Sequence, residues 1–162
     1  MNFQGHLVRW RLDVPRGVAI RENAPANLAN YTVPLKPMLG CVALAPSPTE
    51  PAHDTGDFGP WGGNLDFNEL VDGTTVYLPV NVPGGLLYFG DAHAAQGDGE
   101  LSVNGLETSM DVEVRVDLLP GSSIPAPRAE SSTHVMTMGL SSSLDDAIRK
   151  ATTNMIEWLM AK

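Results

Sequence analysis

"SMDVEVRVDLLP", Ser109–Pro120, carries the clearest period in the chain. Met110, Val112, Val114, Val116 and Leu118 alternate with Asp111, Glu113, Arg115 and Asp117. Successive side chains of an extended backbone point to opposite faces, so this period of two predicts a strand with one apolar and one wet side. Shorter runs of the same kind lie upstream. "LVRWRLDV", Leu7–Val14, alternates as a half-buried strand. Residues 30–46 offer two extended runs around Pro34 and Pro37, prolines that suit edges or bends. Thr74–His93 holds two apolar strands split by Pro83-Gly84-Gly85. The 16 glycines and 13 prolines are spread along the chain, as many short strands joined by turns require.

Helical spacing appears at the C-terminus, in "SSSLDDAIRKATTNMIEWLMAK". Leu144, Ala147, Ile148, Ala151, Met155 and Leu159 form one stripe, expected to pack inward. Ser143 is placed to cap this helix, with Asp145 and Asp146 favourable against the dipole in its first turn. The expected class is mainly β: a barrel- or sandwich-like β domain over 1–120 that carries the site, and a small α+β lobe over 121–162 with the terminal helix. Ser47–Asn64 has no periodicity and reads as a long loop, of a length that usually serves function or stays disordered.

A chain of 162 residues with 43% hydrophobic residues can bury one core. Its 19 acids against 10 bases leave a net charge of −9. Such a surface repels nucleic-acid phosphates and anionic lipid, so neither is an expected partner. Cys41 is the only cysteine, which excludes an intrachain disulfide and a thiolate zinc cluster. A reducing, cytoplasmic setting is expected. No run approaches the roughly 20 apolar residues of a membrane helix, and Met1–Val14 lacks the pattern of a secretory leader.

The chemistry concentrates in "GDAHAAQGDGE", Gly90–Glu100. If a strand continues to His93, Asp91 and His93 share one face. A turn at Gly97 and Gly99 then folds Asp98 and Glu100 back toward them, and the small alanines leave room beside the backbone. Carboxylates with one imidazole suit zinc, or a harder cation such as calcium if carbonyls and water join in. A carboxylate off the metal can act as general base on water. The blander reading stands beside this one: Gly-Asp-Gly is an ordinary turn former, and His93 alone is often a hydrogen-bonded structural residue. The spacing fits neither an EF-hand nor a phosphate loop. Cys41, without a charged neighbour in sequence, reads as core rather than nucleophile. There is no Gly-x-Ser-x-Gly elbow. His53, near Asp54 and Asp57, reads as part of a solvated loop or as a lid residue, and His6 as a surface residue.

Three stretches carry a family resemblance: "GGNLD" at Gly62–Asp66, Thr74–Glu100, and "PRAESSTHVMTMGLSSSLDDAIRKA" at Pro127–Ala151. Together they resemble the acetamidase/formamidase family, whose members hydrolyse small aliphatic amides to a carboxylate and ammonia. The resemblance runs with gaps from about Trp10 onward. It implies a mainly β fold with a barrel-like part and an α+β part, in a short member or a fragment without the usual N-terminal β domain. It also implies that Asn64, Asp66, Asp91, His93, Gln96, Asp98 and Glu100 line the site. In the expected assignment a divalent cation, zinc or calcium, sits on Asp91, His93 and Asp66. Glu100 is the general base, Asp98 the second choice, and Asn64 or Gln96 holds the substrate amide. Glu130 and His134 match a further motif and are expected to join from the C-terminal lobe. Trp61 stands where many members carry a histidine. A small ester is the alternative substrate, and a catalytically silent cation-binding module or subunit the alternative class. Open strand edges make a homo-oligomer the expected assembly.

Overall fold

The structure, a computed structural model, describes residues 7–161. His6 and both outer ends of the expected domains lie outside the described residues. Among the described residues, ten short strands form three antiparallel sheets. The first holds β1 (Trp10–Asp13), β2 (Val18–Arg21) and β3 (Thr32–Pro34) in sequence order. The second, four-stranded, is built from β4 (Met38–Ala43), β5 (Phe58–Gly59), β6 (Gly62–Asn64) and β8 (Tyr88–His93) in the order β5-β6-β4-β8. The third joins β7 (Thr75–Tyr77), β9 (Arg128–Glu130) and β10 (Val135–Thr137) in the order β10-β9-β7. One helix, α1 (Leu144–Ala161), follows. The class is mainly β with a C-terminal helix, as expected. The sheets pack as small open layers and none closes into a barrel among the described residues.

β4 organises the molecule. It pairs with β6 on one side and β8 on the other, with Cys41 opposite both Asn64 and Gly90. That register brings three sequence-distant stretches, 38–43, 62–66 and 88–93, to one place. β5 and β6 fall inside Ser47–Asn64, so the end of the expected loop is a hairpin; Gly59, Gly62 and Gly63 hide it from a search for apolar alternation. The third sheet crosses residue 120, because Thr75–Tyr77 pairs with Arg128–Glu130. Its core draws on both sides of that point: Leu70, Ala129 and Met138 are buried, with Val42, Leu65, Phe67, Val76, Met136 and Leu140 packed around them.

Two expectations are corrected. Residues 108–119 run without turn or bend, and Arg115 Nε reaches Asp117 Oδ2 at 3.0 Å, as side chains two apart on one face do. Yet no strand pairs with this segment among the described residues, and Val114, Val116 and Leu118 are exposed. The period two is present and its partner is not. The helix, in turn, buries a face that overlaps the expected stripe only in part. Leu144, Ile148 and Leu159 are exposed, while Ala147, Ala151 and Met155 of the stripe turn inward together with Asn154 and Trp158. The cause is Arg128, buried in β9, which needs partners there. Its guanidinium donates to Asn154 Oδ1 at 2.5 Å and to the Asn154 carbonyl at 3.3 Å, and lies 5.3 Å from the Trp158 ring centre. Gly139 lets the helix come this close, since a Cβ there would strike the Ala147 carbonyl. No helix among the described residues is long and apolar enough to cross a membrane.

Candidate active site

Gly40, in the middle of β4, is where the site begins. A Cβ at this position would collide with Asp91 Oδ2 and come within 2.6 Å of Asp66 Oδ1. Two carboxylates, one in β8 and one just after β6, therefore meet over a bare backbone. The Gly40 carbonyl accepts the backbone N–H groups of both Leu65 and Asp66, at 2.9 and 3.0 Å, which anchors the second carboxylate. In keeping with this, the β4–β8 ladder skips the Gly40–Asp91 pair. Asp66, Asp91 and Glu100 have φ of +43°, +59° and +43°, backbone that non-glycine residues rarely adopt and that concentrates at working sites.

His93 ends β8 and is 1% exposed. Its ring is held at both nitrogens. Nδ1 lies 2.8 Å from Gln96 Oε1, and the Gln96 amide nitrogen donates to the Asp66 carbonyl at 2.6 Å. Since the Gln96 oxygen must face the ring, Nδ1 carries the proton. Nε2 then points a lone pair at Asp91 Oδ1, 3.3 Å away, and Glu107 Oε1, 3.2 Å away. Three electron-rich atoms in such contact repel unless a positive charge sits among them, either a second proton on the ring or a cation. Burial alone would lower the His93 pKa; the Gln96 bond and the charges of Glu107 and Asp91 outweigh it and raise the value.

Asp66 presents the same demand from the other side. Asn64 donates to its Oδ2 at 2.9 Å, but Oδ1 is buried with no donor. Burial first, then the charges of Glu100 and Asp91, push its pKa up to about 6. Two groups of ligand atoms close enough for one ion result, Asp66–His93–Glu100 and Asp91–His93–Glu107, and both contain His93. The donor set, oxygens with one imidazole, fits zinc or a harder divalent ion.

The expected site residues divide accordingly. Asn64, Asp66, Asp91, His93, Gln96 and Glu100 come together. Asp98 does not, because it is exposed and accepts from Asn68 Nδ2 at 2.8 Å. Gln96 has both ends of its amide engaged within the protein, which makes it a positioning group rather than a substrate ligand. Glu130 accepts from the Tyr77 hydroxyl at 3.2 Å and His134 lies 2.8 Å from Thr133 Oγ1; neither belongs to the two groups of ligand atoms around His93. The C-terminal lobe joins instead through Gly139, Leu140 and Ser141. With Phe58, Asn64, Leu65, Asp66 and Glu100 they border a cleft of about 310 Å³. Trp61 is buried, and the His53 ring stacks on it at 4.2 Å, bridged to Asp57 at 3.2 Å. Cys41 sits beside Asp91 and Asp66, which the sequence around it did not suggest. Burial and those two charges push its thiol pKa up, away from nucleophilic reactivity. Glu107 was missed. Its one signal is a single bridge, His93 opposite Glu107, which a residue pattern does not reveal.

Comparison with known proteins agrees with this architecture. Residues 59–161, which include every residue of the cluster except Gly40 and Cys41, match the model of the Acetamidase/Formamidase family. A formamidase from Methylophilus methylotrophus is 42% identical over 59 residues, 36% of this chain and 14% of that protein. The crystal structure of an acetamidase from Yersinia enterocolitica superposes with a TM-score of 0.84 at 32% identity, over 94% of this chain and 43% of its own. For an acetamidase from Bacillus halodurans the TM-score is 0.71 at 35% identity, over 90% and 47%. This chain thus spans less than half the length of these solved relatives. The matched sequence, the shared fold and the converging polar cluster lead to one assignment: the chain belongs to the acetamidase/formamidase family.

Proposed function

We propose that the protein hydrolyses short aliphatic amides, of the formamide and acetamide type, to a carboxylate and ammonia with the help of a divalent cation. The observation that carries this reading is the His93 Nε2 lone pair set between two carboxylates, beside a cleft edged by Asp66 and Glu100. Asp91, His93 and Glu107 would hold the ion, zinc or calcium, with Asp66 next to them. Such an ion supplies polarisation of a carbonyl and a lower pKa for water.

The remaining work falls to the side chains. Glu100, at the cleft wall, takes the proton of the attacking water as the new C–O bond forms, and returns it to the amide nitrogen as the C–N bond breaks. Asp66 lies next to it, and without an ion burial and the charges of Glu100 and Asp91 raise its pKa to about 6. Asn64 orients Asp66, and Gln96 fixes the His93 ring. Asp98, turned outward to Asn68, takes no part. We infer a homo-oligomer, supported by the unpaired run Ser109–Leu119, and a cytoplasmic setting, supported by the single free Cys41.

Ammonia release from acetamide tests the role of Glu100. Replacement by Gln keeps the shape and removes the base, so kcat should fall by about 10²–10⁴-fold with KM little changed. Wild-type kcat in Glu100→Gln removes Glu100 from the mechanism, and no ammonia from any short amide removes the function.

A further inference from the structure

The cleft is larger than the smallest amides need. Acetamide has four heavy atoms, roughly 120 Å³ at about 30 Å³ for each water-sized group. The cleft offers about 310 Å³. Leu65, Gly139 and Leu140, which form one side of it, also wall a second cavity of about 250 Å³. The two spaces differ in chemistry. The first has Asp66, Glu100 and Asn64 in its lining. The second is completed by Phe67, Thr137 and Met138 and contains no ionisable side chain. Its apolar walls are anchored, because Met138 belongs to the core and Leu65, Phe67 and Leu140 pack against it. Thr137 turns its hydroxyl away, donating to the Ala151 carbonyl of α1 at 2.8 Å.

Resting on the amide-hydrolase reading above, we propose that this site takes amides of medium-length acyl chains, with the amide at the Asp66–Glu100 end and the alkyl chain passing over Leu140 into the cavity walled by Leu65, Phe67 and Met138. A polar head and an apolar tail are what the paired spaces match. Formamide and acetamide occupy only part of the first and leave the second empty. Leu140 and Phe67 become the residues that set chain length, Leu140 at the shared wall and Phe67 at the far side.

Each methylene that enters apolar surroundings should raise kcat/KM by about fourfold. The experiment measures ammonia release from acetamide, butanamide and hexanamide. In parallel, calorimetry measures binding of acetate and hexanoate, the carboxylates that result, and needs no turnover. The expected result is hexanamide favoured over acetamide by more than about tenfold in kcat/KM, and hexanoate bound correspondingly tighter than acetate. Phe67→Trp fills the second cavity; it should cancel the preference for hexanamide over acetamide, with melting temperature reporting that the variant is folded. If that variant does not fold, the wild-type binding pair still decides. Hexanoate binding no tighter than acetate, or kcat/KM falling steadily from acetamide to hexanamide, overturns the proposal. Tight hexanoate binding with no ammonia from any amide would keep the acyl site and remove the hydrolysis on which its naming rests.

Discussion

Gly40 shows how much one residue can decide. Two carboxylates occupy the space its side chain would fill, and its carbonyl anchors Asp66 through two N–H bonds. Gly40→Ala should push Asp91 and Asp66 apart and lower kcat for acetamide by about 100-fold, the scale of a misplacement near 1 Å. Circular dichroism should be unchanged, since the ladder already skips this pair; wild-type kcat would show that the carboxylates need no such contact. Asp66 makes a second prediction. Its folded pKa of about 6 lies above the ordinary 3.8, so the folded state binds this proton more tightly than the unfolded chain does. Stability from that proton is present below about pH 4 and lost as pH rises toward about 6. The raised His93 value acts in the same direction, its contribution fading above the ordinary 6.5. In protein freed of metal by chelation, the melting temperature should therefore fall between about pH 5 and about pH 7, and fall less in Asp66→Asn. An equal fall in both proteins would contradict the Asp66 assignment.

Among the elements, β8 and the turn after it were legible from residues alone. Asp91, His93, Gln96 and Glu100 lie within ten positions, and glycine at 97 and 99 announces the turn. What could not be read was anything set by a partner. Glu107 joins through one bridge, and Cys41 gains two charged neighbours only once β4 is flanked by β6 and β8. The α1 stripe supplied only half of the inward face: Ala147, Ala151 and Met155 turn in, but Leu144, Ile148 and Leu159 stay exposed while Asn154 and Trp158 go in as partners of the buried Arg128. Met110–Leu118 carries the strongest strand pattern and has no pairing strand among the described residues. Its backbone edge and its exposed valines are the kind of surface that recruits another strand. Val114→Lys places a charge in the centre of that edge. In sedimentation velocity it should shift the protein toward monomer, with acetamide turnover preserved; an unchanged distribution would place the interface elsewhere.

For the whole molecule, the net charge of −9 has a visible local use, since four carboxylates (Asp66, Asp91, Glu100 and Glu107) gather around a single imidazole. That density is costly without positive charge, and it gives the arrangement its meaning. The family membership is carried by residues 59–161, where nearly all of these groups lie, and the relatives that share the fold are more than twice as long as the part this chain matches. Whether a cation at His93 enables amide hydrolysis is tested most directly by titrating the chelated protein with zinc and, separately, with calcium while following ammonia release from acetamide. The expected result is activity lost on chelation and restored by one of the two ions with saturable dependence, and no restoration in His93→Ala. Activity indifferent to chelation, or restored equally in His93→Ala, would contradict it.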